Sequence, residues 1–84
     1  MQVYCDILQA LESGESKPSH ILKKANITWV TVIQYLLSLE EKKLVTKLTG
    51  LPTAEYRITA KGRHLLNQYL EIQTELKINS ENFL

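Results

Sequence analysis

The sequence predicts an α+β fold, mostly helical, with three helices, a β-hairpin and a long C-terminal helix. Three observations carry that prediction. Up to about Lys42 the apolar residues recur at helical spacing; between Leu44 and Thr59 the period drops to two on either side of a loop containing Gly50 and Pro52; from Leu65 onward the helical spacing returns. A chain of 84 residues can bury one modest core and no second one.

The first helix is expected from Gln2 to Ser13, where Val3, Ile7, Leu8 and Leu11 form one apolar side and Gly14 follows as a left-handed terminator. Ser16 is placed to cap a second helix of about eight to ten residues, with Pro18 in a first turn where its missing amide has no intrahelical partner. Ile21, Leu22 and Ala25 give that helix a short apolar side, and Lys23 and Lys24 fall near its negative C-terminal end. Asn26 can take the left-handed conformation, Ile27 fills the turn and Thr28 can cap the next helix, which together make a helix-turn-helix connection.

The third helix then runs to about Lys42. Trp29, Val32, Leu36 and Leu39 are expected on its buried side with Ile33 beside them, leaving Val30, Thr31, Gln34 and Ser38 on the opposite face and Tyr35 at its edge. Its β-branched residues lower helix propensity, so tertiary packing must hold it. Trp29 reads as a core or turn-packing residue more than as a stacking platform, because its spacing matches Val32 and Leu36. Tyr35 is open between packing and a phosphate-contacting hydroxyl.

Leu44–Leu48 and Glu55–Thr59 alternate like half-buried strands, with Tyr56 and Ile58 on one face and Lys47 and Arg57 presented outward. Thr59 is a cap for the last helix, which carries Leu65, Tyr69, Ile72 and Leu76 at spacings of four, three and four, with Leu66 and Leu70 widening the stripe. A helix of some 17 residues is about 25 Å long, more than so small a domain needs, so part of it is expected to pack against a second copy. Asn79 to Leu84 lack periodicity and form a tail, although Phe83 and Leu84 could dock.

Hydrophobic and charged fractions of 44% and 23% are those of an ordinary globular protein. No apolar run is long enough for a membrane helix and the N-terminus lacks the features of a signal peptide, so a cytoplasmic protein with no membrane partner is expected. Cys5 is the single cysteine, which excludes an intramolecular disulfide and a Cys-rich zinc site. It reads as a small buried hydrophobe, with an intersubunit bridge or a reactive thiol as the alternatives. His20 and His64 have no metal-ligand spacing, and no metal or other cofactor is expected. The net charge of +1 conceals a strong asymmetry. Between residues 17 and 63 nine cations face three anions, leaving +6, whereas the flanks hold one cation against six anions, leaving −5. A basic middle between acidic ends suits a polyanion-binding face.

Ala25-Asn26-Ile27-Thr28-Trp29, then Tyr35-Leu36 and Leu39, then Leu44-Val45, then Tyr56, Ile58-Thr59, Lys61-Gly62 and Leu65-Leu66 follow one another in a recognisable order. In that order the chain resembles the small winged helix-turn-helix DNA-binding proteins of archaea and their viruses, which pair through a long C-terminal helix as an antiparallel coiled coil. The likeness covers about residues 17 to 72. It implies a core at 1–59 with its wing at 44–59, a dimerisation helix at 60–78 and a tail at 79–84, in a protein of the nucleoid or, if viral, of the host cytoplasm. It also implies that the third helix is the recognition helix. That helix has no Lys or Arg between Thr28 and Leu39, so bidentate reading of guanine is unavailable from its body.

The expected base-facing residues are therefore Val30, Thr31, Gln34 and Ser38, with Gln34 able to read adenine and Val30 to touch a thymine methyl. Lys17, Lys23, Lys24, Tyr35, Lys47, Arg57, Lys61 and Arg63 are the candidates for phosphate or wing contacts, and Leu65, Tyr69, Ile72 and Leu76 for the homodimer interface. The expected function is a homodimeric double-stranded-DNA-binding protein, a transcriptional regulator or a chromatin-associated protein. The alternative is a winged helix used for protein–protein interaction. Catalysis is not expected: there is no Gly-rich phosphate loop, no nucleophile with a nearby base and no carboxylate pair bound to share an apolar pocket.

Overall fold

A computed structural model describes the backbone of residues 2–83 and the side chains of residues 2–75. In chain order the elements are α1 (Gln2–Glu12), α2 (Pro18–Ala25), α3 (Trp29–Glu41), β1 (Val45–Leu48), β2 (Glu55–Ile58) and α4 (Ala60–Phe83). All six expected elements form, in the expected order. One core joins them: Cys5, Ile7, Leu8, Ala10 and Leu11 of α1 meet Ile21 of α2, Val32, Leu36 and Leu39 of α3, the strand residues Val45, Tyr56 and Ile58, and Leu66 of α4.

The helix ends follow from their residues, with one exception. Asn26 closes α2 in the left-handed conformation at φ 57, and the Thr28 hydroxyl accepts from the Thr31 amide at the start of α3. Thr59 caps α4 by accepting from the Gly62 amide at 3.0 Å. Ser16, expected to cap α2, does not: Lys17 is the N-cap and provides no side-chain bond. Ser16 is instead used across the fold, its carbonyl accepting from the Tyr56 amide and its hydroxyl donating to the Glu55 carboxylate, both at 2.8 Å. The segment before α2 thus runs along β2 and satisfies one of its edge amides.

Trp29 is the second correction. The buried stripe of α3 starts at Val32, and Trp29 is 55% exposed. At the first position of the helix a side chain leans back over the preceding turn, past the end of the core, so helical spacing from Val32 does not bury it.

The hairpin is antiparallel, pairing Val45 with Ile58, Thr46 with Arg57, Lys47 with Tyr56 and Leu48 with Glu55. Directly opposed residues share a face. Lys47 therefore lies on the face of Val45, Tyr56 and Ile58, and Arg57 on the other face with Thr46. Both are exposed, as the sequence leads one to expect, but from opposite faces of the hairpin.

The last helix is 24 residues long, and the molecule measures 52 × 25 × 20 Å. Leu66 enters the core while Tyr69 and Leu70 pack at its margin. Leu65 and Ile72 remain exposed. The expectations for the side chains of Leu76, Phe83 and Leu84 lie outside the described residues.

Candidate nucleic-acid interface

The turn Asn26–Thr28 sets α3 across α2, and the burial of Val32, Leu36 and Leu39 turns the opposite face of α3 outward. At helical spacing that outward face carries Val30, Gln34, Leu37 and Glu41, all exposed. Val30 is 64% exposed and Leu37 54%. Leu37 was missed in reading the sequence, although it lies two turns from Val30 on the same side. Trp29 stands at the head of this face and the half-buried Ile33 along its edge. The face is uncharged until Glu41, and apolar except for Gln34.

The other expected base-facing residues sit on the flank turned toward α1. Thr31 shares a hydroxyl hydrogen bond of 2.8 Å with the capping Thr28. Ser38 is bonded to the Tyr4 hydroxyl at 3.1 Å and accepts from Lys42 Nζ at 3.0 Å. Tyr35 packs edge-on against Tyr4 with centroids 4.5 Å apart and planes at 83°. Tyr4, Tyr35, Ser38 and Lys42 thus form a polar-aromatic seam between α1 and α3, which sets the angle at which the outer face is displayed.

The cations divide in the same way. Lys17 at the start of α2, Lys23 and Lys24 in its last turn, Lys47 on β1 and Arg57 on β2 are exposed, and α2 and β1 both pack against α3. Lys61 Nζ donates to the Lys42 carbonyl at 3.0 Å, placing positive charge at the negative, C-terminal end of α3. Arg63 Nε lies 2.8 Å from the Glu12 carboxylate and ties the start of α4 to the end of α1. Five of the seven candidate cations are thus free of side-chain ion pairs and donor bonds within the described residues, and two are engaged.

Two groups are displaced from their ordinary ionisation. Burial, with a smaller contribution from the neighbouring Asp6 charge, pushes the Cys5 thiol up, and burial with Glu40 pushes up the Tyr56 hydroxyl. Both are core groups held neutral. Among the described residues no cluster of His, Cys, Asp and Glu could hold a metal ion, and no helix is long and apolar enough to cross a membrane.

Solved structures place this arrangement among known folds. A variant of MepR from S. aureus superposes with a TM-score of 0.86 at 21% identity, covering 100% of this chain and 66% of MepR. Sso10a-2, a DNA-binding protein from Sulfolobus solfataricus, gives 0.76 at 24% identity over 98% of this chain and 88% of its own. The transcriptional regulator BldR from the same organism gives 0.82 at 21% identity, with 93% and 58% covered. The chain therefore spans less than two thirds of MepR and BldR, and most of Sso10a-2. Among curated proteins no sequence match is found. Residues 1–77 match the winged helix-turn-helix family, and the chain belongs to that family.

Proposed function

We propose that the protein binds double-stranded DNA as a homodimer and serves as a transcriptional regulator or chromatin-associated protein, with α3 in the major groove and the hairpin on the backbone or in the adjacent minor groove. The observation that carries this reading is the uncharged outer face of α3, displayed between elements that carry Lys17, Lys23, Lys24, Lys47 and Arg57. Cations on both sides of a groove-sized helix hold phosphates, while the helix between them meets base edges. Family membership supports the reading, as does the printed description of Sso10a-2 as a DNA-binding protein and of BldR as a transcriptional regulator. A MepR variant has also been solved bound to an oligodeoxyribonucleotide. No part of the site calls for an enzyme.

The dimer is proposed through α4. Leu65 and Ile72 face away from the core, and beside Leu65 and Tyr69 an apolar cavity of about 200 Å³ opens between α1, the end of α3 and α4. A second α4 laid along the first would cover these residues. Sedimentation that returns a stable monomer at micromolar concentration overturns the dimer.

Titration of duplex DNA at rising salt tests the central reading. Counterion release requires affinity to fall steeply, as a power of salt concentration set by the number of phosphates neutralised. Affinity that stays flat from low to physiological salt, or no binding at low salt, overturns it. In that event the exposed Trp29, Val30 and Leu37 favour the second reading, a protein-interaction module.

A further inference from the structure

The outer face of α3 is unusual for a helix set among cations. Three of the six large hydrophobic residues found exposed among the described residues, Trp29, Val30 and Leu37, lie on this one helix. Exposed apolar side chains grouped this way mark a contact surface. No arginine or lysine on the face could take the two acceptors of guanine, and the neighbouring Thr31 and Ser38 hydroxyls are already hydrogen-bonded within the protein.

We propose that α3 recognises thymine C5-methyl groups in the major groove, with Val30 and Leu37 as the methyl-contacting residues, Gln34 between them for adenine, and Trp29 packed at the rim. The inference rests on the DNA-binding reading above and names what that site selects. The methyl is the one apolar group that a base pair offers in the major groove, so it alone matches Val30 and Leu37 chemically. Seven residues of helix separate the two side chains by about 10 Å along the axis. Along the groove that distance corresponds to about three base-pair steps of roughly 3.4 Å. The selected site is therefore a short A·T-rich stretch with two methyls held apart by a central adenine contact. DNA is the occupant favoured over an apolar protein surface because α2 and β1, which pack on α3, bring the exposed Lys23, Lys24 and Lys47, with Lys17 at the head of α2, and the face itself brings one anion, Glu41, at its far end.

Binding of the full chain to an alternating A·T duplex and to the same duplex with uracil in place of thymine tests this. Uracil removes the methyl and keeps every hydrogen-bonding group. The uracil duplex is expected to bind about fourfold more weakly for each methyl lost, the factor associated with withdrawing one methylene-sized group from water. In a Val30→Ala/Leu37→Ala variant, both sites being exposed, the ratio between the two duplexes is expected to fall toward one while the salt dependence is kept; circular dichroism verifies the fold. An alternating G·C duplex with and without 5-methylcytosine separates the sources, since a gain there extends the contact to any C5-methyl pyrimidine and no gain restricts it to thymine. Equal affinity of the wild-type protein for the thymine and uracil duplexes overturns the inference and leaves DNA binding standing. Absence of binding to either duplex at low salt overturns both this inference and the DNA-binding reading.

Discussion

Gly62 lies directly against the Leu44 carbonyl oxygen, with no space between them for a Cβ. The contact joins the start of α4 to the entry of β1, and Thr59 secures it: its amide donates to the Leu44 carbonyl at 3.1 Å, and its hydroxyl donates to the adjoining Lys43 carbonyl at 2.7 Å, with the Leu44 oxygen 3.0 Å away. A methyl at position 62 would overlap that oxygen and press on Ile58 Cγ1, 3.0 Å away. Because the obstacle is backbone, relief requires α4 to move off the hairpin. Gly62→Ala is expected to destabilise the fold by about 1–3 kcal/mol, the usual cost of overpacking. Denaturant unfolding measures it; a loss below about 0.5 kcal/mol would show that the joint is pliable.

Lys43 adopts φ 62, a left-handed conformation that costs a side-chain-bearing residue energy. It follows α3, where the Lys43 and Leu44 amides close back on the Glu40 and Leu39 carbonyls at 3.0 and 2.9 Å. Glycine takes this position without strain. Lys43→Gly is expected to raise stability by about 0.5–1 kcal/mol in the same unfolding assay, with lowered stability as the contrary result.

Cys5 is 3% exposed, and burial raises its pKa above the ordinary 9.0. Little thiolate forms near neutral pH, so alkylation of the native protein is expected to be slow and to become rapid only on unfolding. The same shift has a consequence for stability. Above about pH 9 the unfolded chain releases the thiol proton while the folded chain retains it, so the unfolded state binds fewer protons and stability falls as pH rises. Tyr56, raised from an ordinary 10.0, extends the decline in the same direction. Unfolding measured from pH 8 to 10.5 should show the loss; a flat profile would mean that neither group is held neutral.

Lys47 and Arg63 were both candidates for phosphate contact, yet their surroundings differ. Arg63 is paired with Glu12 through side chains 53% and 42% exposed, a link worth under about 1 kcal/mol to stability. Lys47 is exposed on the hairpin. Lys47→Ala is expected to reduce the salt-dependence slope of DNA binding by about 1 while leaving stability unchanged, and Arg63→Ala to leave that slope nearly intact. Equal reductions would show that the Arg63–Glu12 pair opens on DNA.

Glu41 is the one acidic side chain on the outer face of α3. Its charge repels phosphate, so Glu41→Gln is expected to raise duplex affinity at low salt, with the gain disappearing as salt screens it. An unchanged affinity at low salt would place the C-terminal end of α3 clear of the DNA.

Much of this was legible in the residues themselves. Asn26, Thr28, Thr59 and Gly14 occupy the turns and caps that their chemistry suits, because such preferences act within a few residues of chain. The two periods of apolar residues likewise separated helices from hairpin. Ser16 escaped that reading, since Glu55 and Tyr56 reach it from 39 and 40 positions away and outbid the local cap. Leu37 escaped it for another reason. A leucine in a helix is expected inside, and only the direction of the core across Val32, Leu36 and Leu39 turns it out.

The sequence by itself determined the order of elements, most of their caps and turns, the main apolar stripes and the concentration of positive charge in the middle of the chain. These depend on local conformational preference and on spacing, which one strand of residues contains. Only the tertiary structure decided which charges are free and which face is offered. Arg63 was paired by α1, Lys61 was drawn to the end of α3, Ser38 and Tyr35 were taken up by Tyr4, and Lys47 and Arg57 were set on opposite faces by strand register. Each of those outcomes depends on a partner distant in sequence, whose position exists only once the core has closed.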